Sequence, residues 1–88
     1  MKTNYLSKVN EISVYEQLTI IWNDIFKINE INPEDDFFRL GGNSLTAAKF
    51  ISKVEEVFGA ESLSPEALYE SPRFKDIVAS VNIHRIVE

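Results

Sequence analysis

The strongest constraint on the fold of this chain is the spacing of its apolar residues, which recur at helical intervals and nowhere alternate clearly enough to predict a strand. A first helix is predicted because Ser13 and Glu16 have the spacing of a capping box and an apolar series follows. We expect this helix to begin at Ser13 and to end near Phe26 or Ile28. Residues 1–12 show no clear period and are expected to be an N-terminal lead-in. The apolar face would consist of Val14, Leu18, Ile21, Trp22 and Ile25.

A second helix is predicted from Ser44 to Phe58, with Gly59 in the position that commonly follows a helix end. Residues three or four apart share one side of such a helix. We expect Phe50 to lie between the core and the flank. The side expected to face the core carries Ala47, Ile51, Val54 and Phe58. A different side carries Leu45, Ala48 and Ser52.

Two Ser-Pro pairs predict two further helix starts, because serine is a good N-cap and proline fits the first helical position. Ser64 precedes a short helix over residues 65–70, and Ser71 precedes a final helix over about residues 72–83. The inward side chains of the final helix are expected to be Phe74, Ile77, Val78 and Val81. The expected fold is therefore an all-α four-helix bundle, with three longer helices and a short third helix around one core.

A long connection over residues 27–43 joins the first two predicted helices. Loops of this length in compact domains are usually functional or disordered. We expect an ordered loop, because Phe37 and Leu40 can anchor it in the core, while Phe38 and Arg39 lie at its surface.

The composition argues against several functional classes. The chain has no cysteine and one histidine, His84, which disfavours disulfides and cysteine or multi-histidine metal sites. Fourteen acidic against nine basic residues give a net charge of −5, which disfavours nucleic acid as a partner. No apolar run reaches the roughly 18 residues of a membrane span. We therefore expect a cytoplasmic protein that binds no metal and is a binding module or a carrier rather than an enzyme. The composition does not indicate an oligomeric state, and a monomer is the simplest expectation.

The segment with the most chemical information is Gly41-Gly42-Asn43-Ser44. The glycines permit a tight turn, and Asn43 is a good N-cap. Ser44 would then occupy the first helical position with its hydroxyl unused. Backbone N–H groups and the helix dipole there would stabilise an anion such as a phosphate ester. The plainer interpretation is a turn and a cap without further function. Neither a P-loop nor a nucleophile elbow is present.

The run Asp36-Phe37-Phe38-Arg39-Leu40-Gly41-Gly42-Asn43-Ser44-Leu45 closely resembles the phosphopantetheine attachment site of acyl and peptidyl carrier proteins. Residues 63–72 resemble the third-helix segment of that family, and the resemblance covers about residues 13–83. It implies a carrier domain over residues 13–84, followed by a short C-terminal tail over residues 85–88.

The resemblance also implies a cofactor. A phosphopantetheinyl transferase would esterify 4′-phosphopantetheine to Ser44, with Gly42 and Asn43 completing the cofactor-binding segment. The thiol of this arm would hold the cargo as a thioester, so the sulfur would arrive from outside a cysteine-free chain. The chain itself would catalyse nothing.

The residues around Ser44 resemble the peptidyl branch of the family. Gly-Gly-x-Ser is typical of carriers in nonribosomal peptide synthesis, whereas fatty-acid carriers more often show Gly-Ala-Asp-Ser. The first charges after Ser44 are Lys49 and Lys53, which a basic partner patch would complement poorly. The implied partners are the transferase, an adenylation enzyme that loads the carrier, and a condensation or thioesterase-type enzyme that unloads it. We expect a free-standing carrier, because the chain starts with Met1 and ends soon after the last helix.

A partner surface is expected around the serine. The residues assigned to it are Phe38, Arg39, Leu45, Ala48, Lys49, Ser52 and Leu68. Trp22 is expected in the core. Three alternatives remain open at this point: an acyl carrier for fatty-acid or polyketide synthesis, a helical protein-interaction adaptor without a prosthetic group, and a small hydrolase that uses Ser44.

Overall fold

The computed structural model describes the backbone of residues 2–87 and the side chains of residues 14–84. Within these residues the chain forms four helices and no strand, apart from one isolated bridge between Asp36 and Arg73. The helices are α1 (Lys2–Phe26), α2 (Ser44–Phe58), α3 (Pro65–Glu70) and α4 (Phe74–Val87). The predicted all-α fold with a short third helix is confirmed.

Helix α1 begins at Lys2, so the prediction that it begins at Ser13 is wrong. Met1 lies outside the described residues, and residues 2–12, expected as a lead-in, are helical. The stretch from 2 to 26 contains neither glycine nor proline, so the capping-box spacing at Ser13 lies inside a continuous helix instead of starting one. The predicted end is confirmed, because Lys27 has a φ of 57° and the Ile28 N–H donates to the Asn23 carbonyl at 3.1 Å.

The core is centred on Trp22, as expected. This side chain is fully buried, and its ring centroid lies 5.1–5.9 Å from four phenylalanine rings in edge-on arrangements. Those rings belong to Phe26, Phe37, Phe50 and Phe74. Because these rings come from α1, the long loop, α2 and α4, the indole packs against three of the four helices and the loop.

Helix α2 has its predicted bounds, with Gly59 after its end at a φ of 106°. One detail of its core face differs from expectation. Phe50 is fully buried, whereas Ile51 and Phe58 are only half-buried. The core face is therefore centred on Ala47, Phe50 and Val54, which are the buried residues of this helix.

Helix α3 also has its predicted bounds, and the Ser64 hydroxyl accepts the Ala67 N–H at 3.1 Å as an N-cap. The prediction that Ser71 caps a final helix beginning at Pro72 is wrong. Ser71 instead ends α3, and α4 starts at Phe74. The buried residues of α4 are Phe74, Ile77 and Val81, while Val78 is half-buried.

Long-range backbone pairing explains the late start of α4. The Phe37 N–H donates to the Pro72 carbonyl at 2.9 Å, and the Phe74 N–H donates to the Asp35 carbonyl at 3.0 Å. The Lys75 N–H donates to the Pro33 carbonyl at 3.0 Å. These bonds tie the end of the first loop to the entrance of α4. At its other end α4 extends to Val87 and includes residues 85–87 of the predicted tail, while Glu88 lies outside the described residues.

The long loop is ordered, as predicted, but only one of its two proposed anchors is in the core. Phe37 is fully buried, whereas the Leu40 side chain is 37% exposed, so the prediction that Leu40 anchors the loop is wrong. The chain turns between them, because the Leu40 N–H donates to the Asp36 carbonyl at 3.0 Å. This turn carries Leu40 to the outer side of the loop.

Candidate functional site

Ser44 is the first residue of α2, and its side chain is exposed. Asn43 before it is the N-cap, as predicted. The Asn43 Oδ1 accepts the Thr46 N–H at 3.0 Å and the Thr46 hydroxyl at 3.0 Å. Because Asn43 performs the capping, the Ser44 hydroxyl is not needed for it. Among the described residues, no group forms a hydrogen bond with this hydroxyl.

The two glycines before the cap serve different physical purposes. Gly41 has a φ of +106°, which side-chain-bearing residues rarely adopt. Gly42 instead lies against Phe37. A Cβ at position 42 would overlap the Phe37 ring and would come within 2.7 Å of the Phe37 carbonyl oxygen. The Gly42 N–H also donates to that carbonyl at 3.1 Å. The buried Phe37 thus fixes the backbone two residues before Ser44.

The start of α2 fits a phosphate ester on Ser44. The Thr46 and Ala47 N–H groups are occupied by Asn43, through its side chain and its carbonyl. The Ser44 and Leu45 N–H groups have no acceptor among the described residues, as is usual for the first positions of a helix. Two backbone donors and the positive end of the helix dipole therefore lie beside the hydroxyl.

The structure brings together most of the residues assigned to a partner surface. Leu45 directly follows the serine and is 67% exposed. Ala48, Lys49 and Ser52 are exposed and line a groove of about 530 Å³ between α2 and the end of α1. The other residues lining this groove are Asp24, Ile25, Lys27 and Lys53. The sequence did not indicate that the end of α1 would contribute.

The loop and α3 contribute a second group of residues. Arg39 is exposed and Phe38 is half-buried. The Phe38 ring stacks on Tyr69 at a centroid distance of 5.2 Å and an interplanar angle of 8°. The assignment of Leu68 to the partner surface is wrong, because this side chain is fully buried in the core. Its neighbour Tyr69, which is 51% exposed, is the α3 residue at the surface.

The arrangement around Ser44 is suited to holding a group rather than to activating a nucleophile. A serine nucleophile needs a base within hydrogen-bonding reach, and none of the described residues provides one. Within the same part of the chain, no group of three or more histidine, cysteine, aspartate or glutamate side chains could hold a metal ion. Among the described helices, none combines the length with the apolar composition that a membrane span requires.

Comparison with known proteins agrees with this chemistry. The family model described as "Phosphopantetheine attachment site" matches residues 16–81. Malpibaldin synthetase of Mortierella alpina is 37% identical over 75 residues, which are 85% of this chain and 1% of the synthetase. Tyrocidine synthase 2 of Brevibacillus parabrevis is 31% identical over 80 residues, which are 91% of this chain and 2% of the synthase. The chain thus spans only a small part of such relatives.

Solved structures agree as well. BlmI, a type-II acyl-carrier-protein of Streptomyces verticillus, is similar with a TM-score of 0.74 and 27% identity, over 93% of this chain and 95% of BlmI. A peptidyl carrier domain described as a prototype for modular peptide synthetases is similar with a TM-score of 0.68 and 28% identity, over 80% of this chain and 91% of the domain. The chain therefore belongs to the phosphopantetheine attachment family, the acyl and peptidyl carrier proteins, whose prosthetic group is 4′-phosphopantetheine.

Proposed function

We propose that this chain is a peptidyl carrier whose Ser44 bears the 4′-phosphopantetheine and which catalyses no reaction itself. The observation that supports Ser44 is its exposed hydroxyl at the first position of α2, left unpaired because Asn43 caps the helix. When bound, the prosthetic group supplies a thiol that holds an aminoacyl, peptidyl or acyl group as a thioester. The chain has no cysteine of its own that would compete for the cargo.

The residues around Ser44 have distinct positioning roles in this proposal. Asn43 holds the first turn of α2 through its bond with Thr46, so the serine oxygen faces solvent. Gly41 and Gly42 place no side chain on the approach to that oxygen. The buried Phe37 keeps the preceding loop in one position. The Ser44 and Leu45 N–H groups would stabilise the negative charge of the phosphate ester.

Two observations support the peptidyl branch. One of the similar solved structures is described as a prototype for the peptidyl carrier domains of modular peptide synthetases. The α2 surface after Ser44 also carries Lys49 and Lys53.

We propose a phosphopantetheinyl transferase, a loading adenylation enzyme and an unloading condensation or thioesterase-type enzyme as partners. An acyl carrier is the alternative, which the resemblance to the acyl-carrier-protein BlmI keeps open.

We propose that this chain is a discrete, free-standing carrier. The support is its similarity to BlmI, which is described as a type-II acyl-carrier-protein and which the match covers over 95% of its length. A monomeric state and a cytoplasmic location stay predictions.

Intact-mass spectrometry tests the attachment site. The chain is incubated with coenzyme A, magnesium and a broad-specificity phosphopantetheinyl transferase. We expect the mass to rise by one phosphopantetheine, and we expect no rise for Ser44→Ala. Ser71→Ala is the matched control, because Ser71 is also exposed but lies outside the assigned partner surface, and it should gain the same mass as the unchanged chain. An equal rise for Ser44→Ala would place the modification elsewhere and contradict the proposal.

The branch is tested on the modified protein. It is offered amino acids with ATP and a set of adenylation enzymes in one series, and malonyl donors with an acyltransferase in another. We expect aminoacyl thioesters, detected as an added mass that hydroxylamine removes. Loading from malonyl donors alone would favour the acyl-carrier alternative and would leave the Ser44 assignment intact.

A further inference from the structure

The groove between α2 and the end of α1 has an unusual charge for this molecule. Three lysines and one aspartate line it, whereas the whole chain carries −5. The Lys27 Nζ lies 3.8 Å from the Asp24 Oδ1, and the Lys53 Nζ lies 4.0 Å from the Glu56 Oε1. Both ion pairs are highly exposed. Such pairs are weak. The lining side chains therefore carry a net charge of +2, and Lys49 is the lysine among them that no described acidic side chain pairs with.

The groove also has an apolar part. Ile25 is half-buried and packs against the core, and Ala48 is exposed on the facing helix. Apolar atoms thus lie between the lysine side chains, which themselves contribute methylene groups. A free small anion would gain little at such an open site, since water screens exposed charges strongly. A protein surface that covers the groove would exclude water, and it would strengthen the charge pairs while burying the apolar atoms.

The position of the groove relates it to Ser44. Ala48 follows Ser44 by four residues and therefore lies one turn along the same side of α2. Ser52 continues that side by one more turn, and both residues line the groove. A protein bound over Ser44 and Leu45 therefore has the groove directly beside its contact area.

We propose that this groove is the docking site for an acidic helix of a partner enzyme, whose carboxylates pair with Lys27, Lys49 and Lys53 while an apolar side chain covers Ile25 and Ala48. This inference rests on the proposed carrier function in one respect only, namely that the partner is an enzyme. The groove itself exists in the unmodified chain. Docking is therefore testable without the prosthetic group, so its failure and the failure of the attachment proposal are separate results.

A peptide titration of the full, unmodified chain tests the docking site. The probe is an acetylated and amidated helical peptide of about sixteen residues, built from alanine and leucine with glutamates at i and i+4 on one face. Amide chemical shifts of the ¹⁵N-labelled chain are followed by NMR. We expect shifts at the end of α1 and along residues 48–53, and weaker binding at about 0.3 M salt, where charges are screened. The same peptide with glutamine in place of glutamate should bind much more weakly.

Two matched variants locate the binding. Lys49→Gln/Lys53→Gln should weaken binding of the acidic peptide roughly fivefold to tenfold, as expected for two lost ion pairs. Arg73→Gln/Lys75→Gln removes the same charge at the α4 entrance and should leave the affinity unchanged. Equal losses in the two variants would mean attraction to overall charge and would overturn the proposal. The absence of any shift, or equal binding of the glutamine peptide, would overturn it too. Equal shifts with free glutarate would show a small-anion site instead of a docking surface.

Discussion

Gly42 shows how one position governs the approach to Ser44. Its φ is not in the left-handed region, so the need for glycine arises from space and not from backbone conformation. The Phe37 ring and carbonyl occupy the volume where a Cβ would lie. Gly41, the neighbouring glycine, has open space around it but a φ of +106°. The sequence showed that both residues were glycine, but only the structure separates the two reasons.

We predict that Gly42→Ala destabilises the chain by about 1–3 kcal/mol, because the added methyl group has no room beside Phe37. The combined variant Gly42→Ala/Phe37→Leu should lose less stability than the sum of the two single changes, since the smaller side chain relieves the overlap. Urea denaturation of the four proteins measures this coupling. Strict additivity would show that Phe37 is not what excludes a side chain at position 42.

The caps of α2 and α3 were predictable from sequence, because each depends on two residues that are three positions apart. Asn43 reaches Thr46, and Ser64 reaches Ala67. The burial of Leu68 was not predictable in the same way. A helix of six residues is too short for its apolar pattern to define a buried face. The packing of the other elements therefore decides that Leu68 is buried and Tyr69 is exposed.

Side chains as well as backbone groups join the first loop to α4. Besides the backbone bonds, the Glu34 carboxylate accepts a hydrogen bond from the Lys75 ammonium at 2.9 Å and lies 3.4 Å from the Arg73 guanidinium. The hydrogen bond and charge of Lys75, with a smaller effect of Arg73, lower the pKa of Glu34 below its ordinary value. Because the folded pKa is the lower one, this contribution to stability is complete above the ordinary glutamate pKa and is lost as the pH falls through the lowered value.

An NMR titration of the Glu34 carboxyl carbon should therefore give a pKa below that of an unperturbed glutamate. In Lys75→Met the pKa should rise towards the ordinary value, and high salt should have a similar but smaller effect. Lys27→Met is the control, because Lys27 pairs with Asp24 instead, and it should leave the Glu34 pKa unchanged. An unaltered pKa in Lys75→Met would exclude this ion pair as the cause.

The boundaries of α1 and α4 illustrate why some elements were mispredicted. The Ser71-Pro72 pair is a good local helix start, yet the Pro72 carbonyl accepts from Phe37, which is 35 residues earlier in the chain. Such pairing depends on the tertiary fold and leaves no local pattern in the sequence. In α1 the capping signal at Ser13 is misleading for the opposite reason, because no glycine or proline precedes it and the helix continues through it.

The aromatic cluster around Trp22 packs three of the four helices and the first loop together. We predict that Trp22→Ala destabilises the fold by about 3–5 kcal/mol, the usual cost of removing a buried aromatic side chain. A loss of this size approaches the entire stability of many small domains, so the variant should keep only a small free energy of unfolding and a much lower urea midpoint.

Far-UV circular dichroism during urea denaturation measures the effect. Ile20→Ala is the matched control on the same helix, since Ile20 is 63% exposed, and it should change the stability by less than about 0.5 kcal/mol. If Trp22→Ala kept the urea midpoint of the unchanged chain, the cluster would not be the main source of stability.

The pairing of the first loop with the entrance of α4 has a consequence for the newly made protein. Ser44 is translated well before residues 72–75, but the loop that presents it acquires its backbone partners only when those residues are available. Local turns of α2 can form earlier. Bringing residues 33–37 to residues 72–75 costs conformational entropy, and only the contacts of the complete fold offset this cost. A growing chain on the ribosome therefore exposes the serine before it has assembled the surface around it.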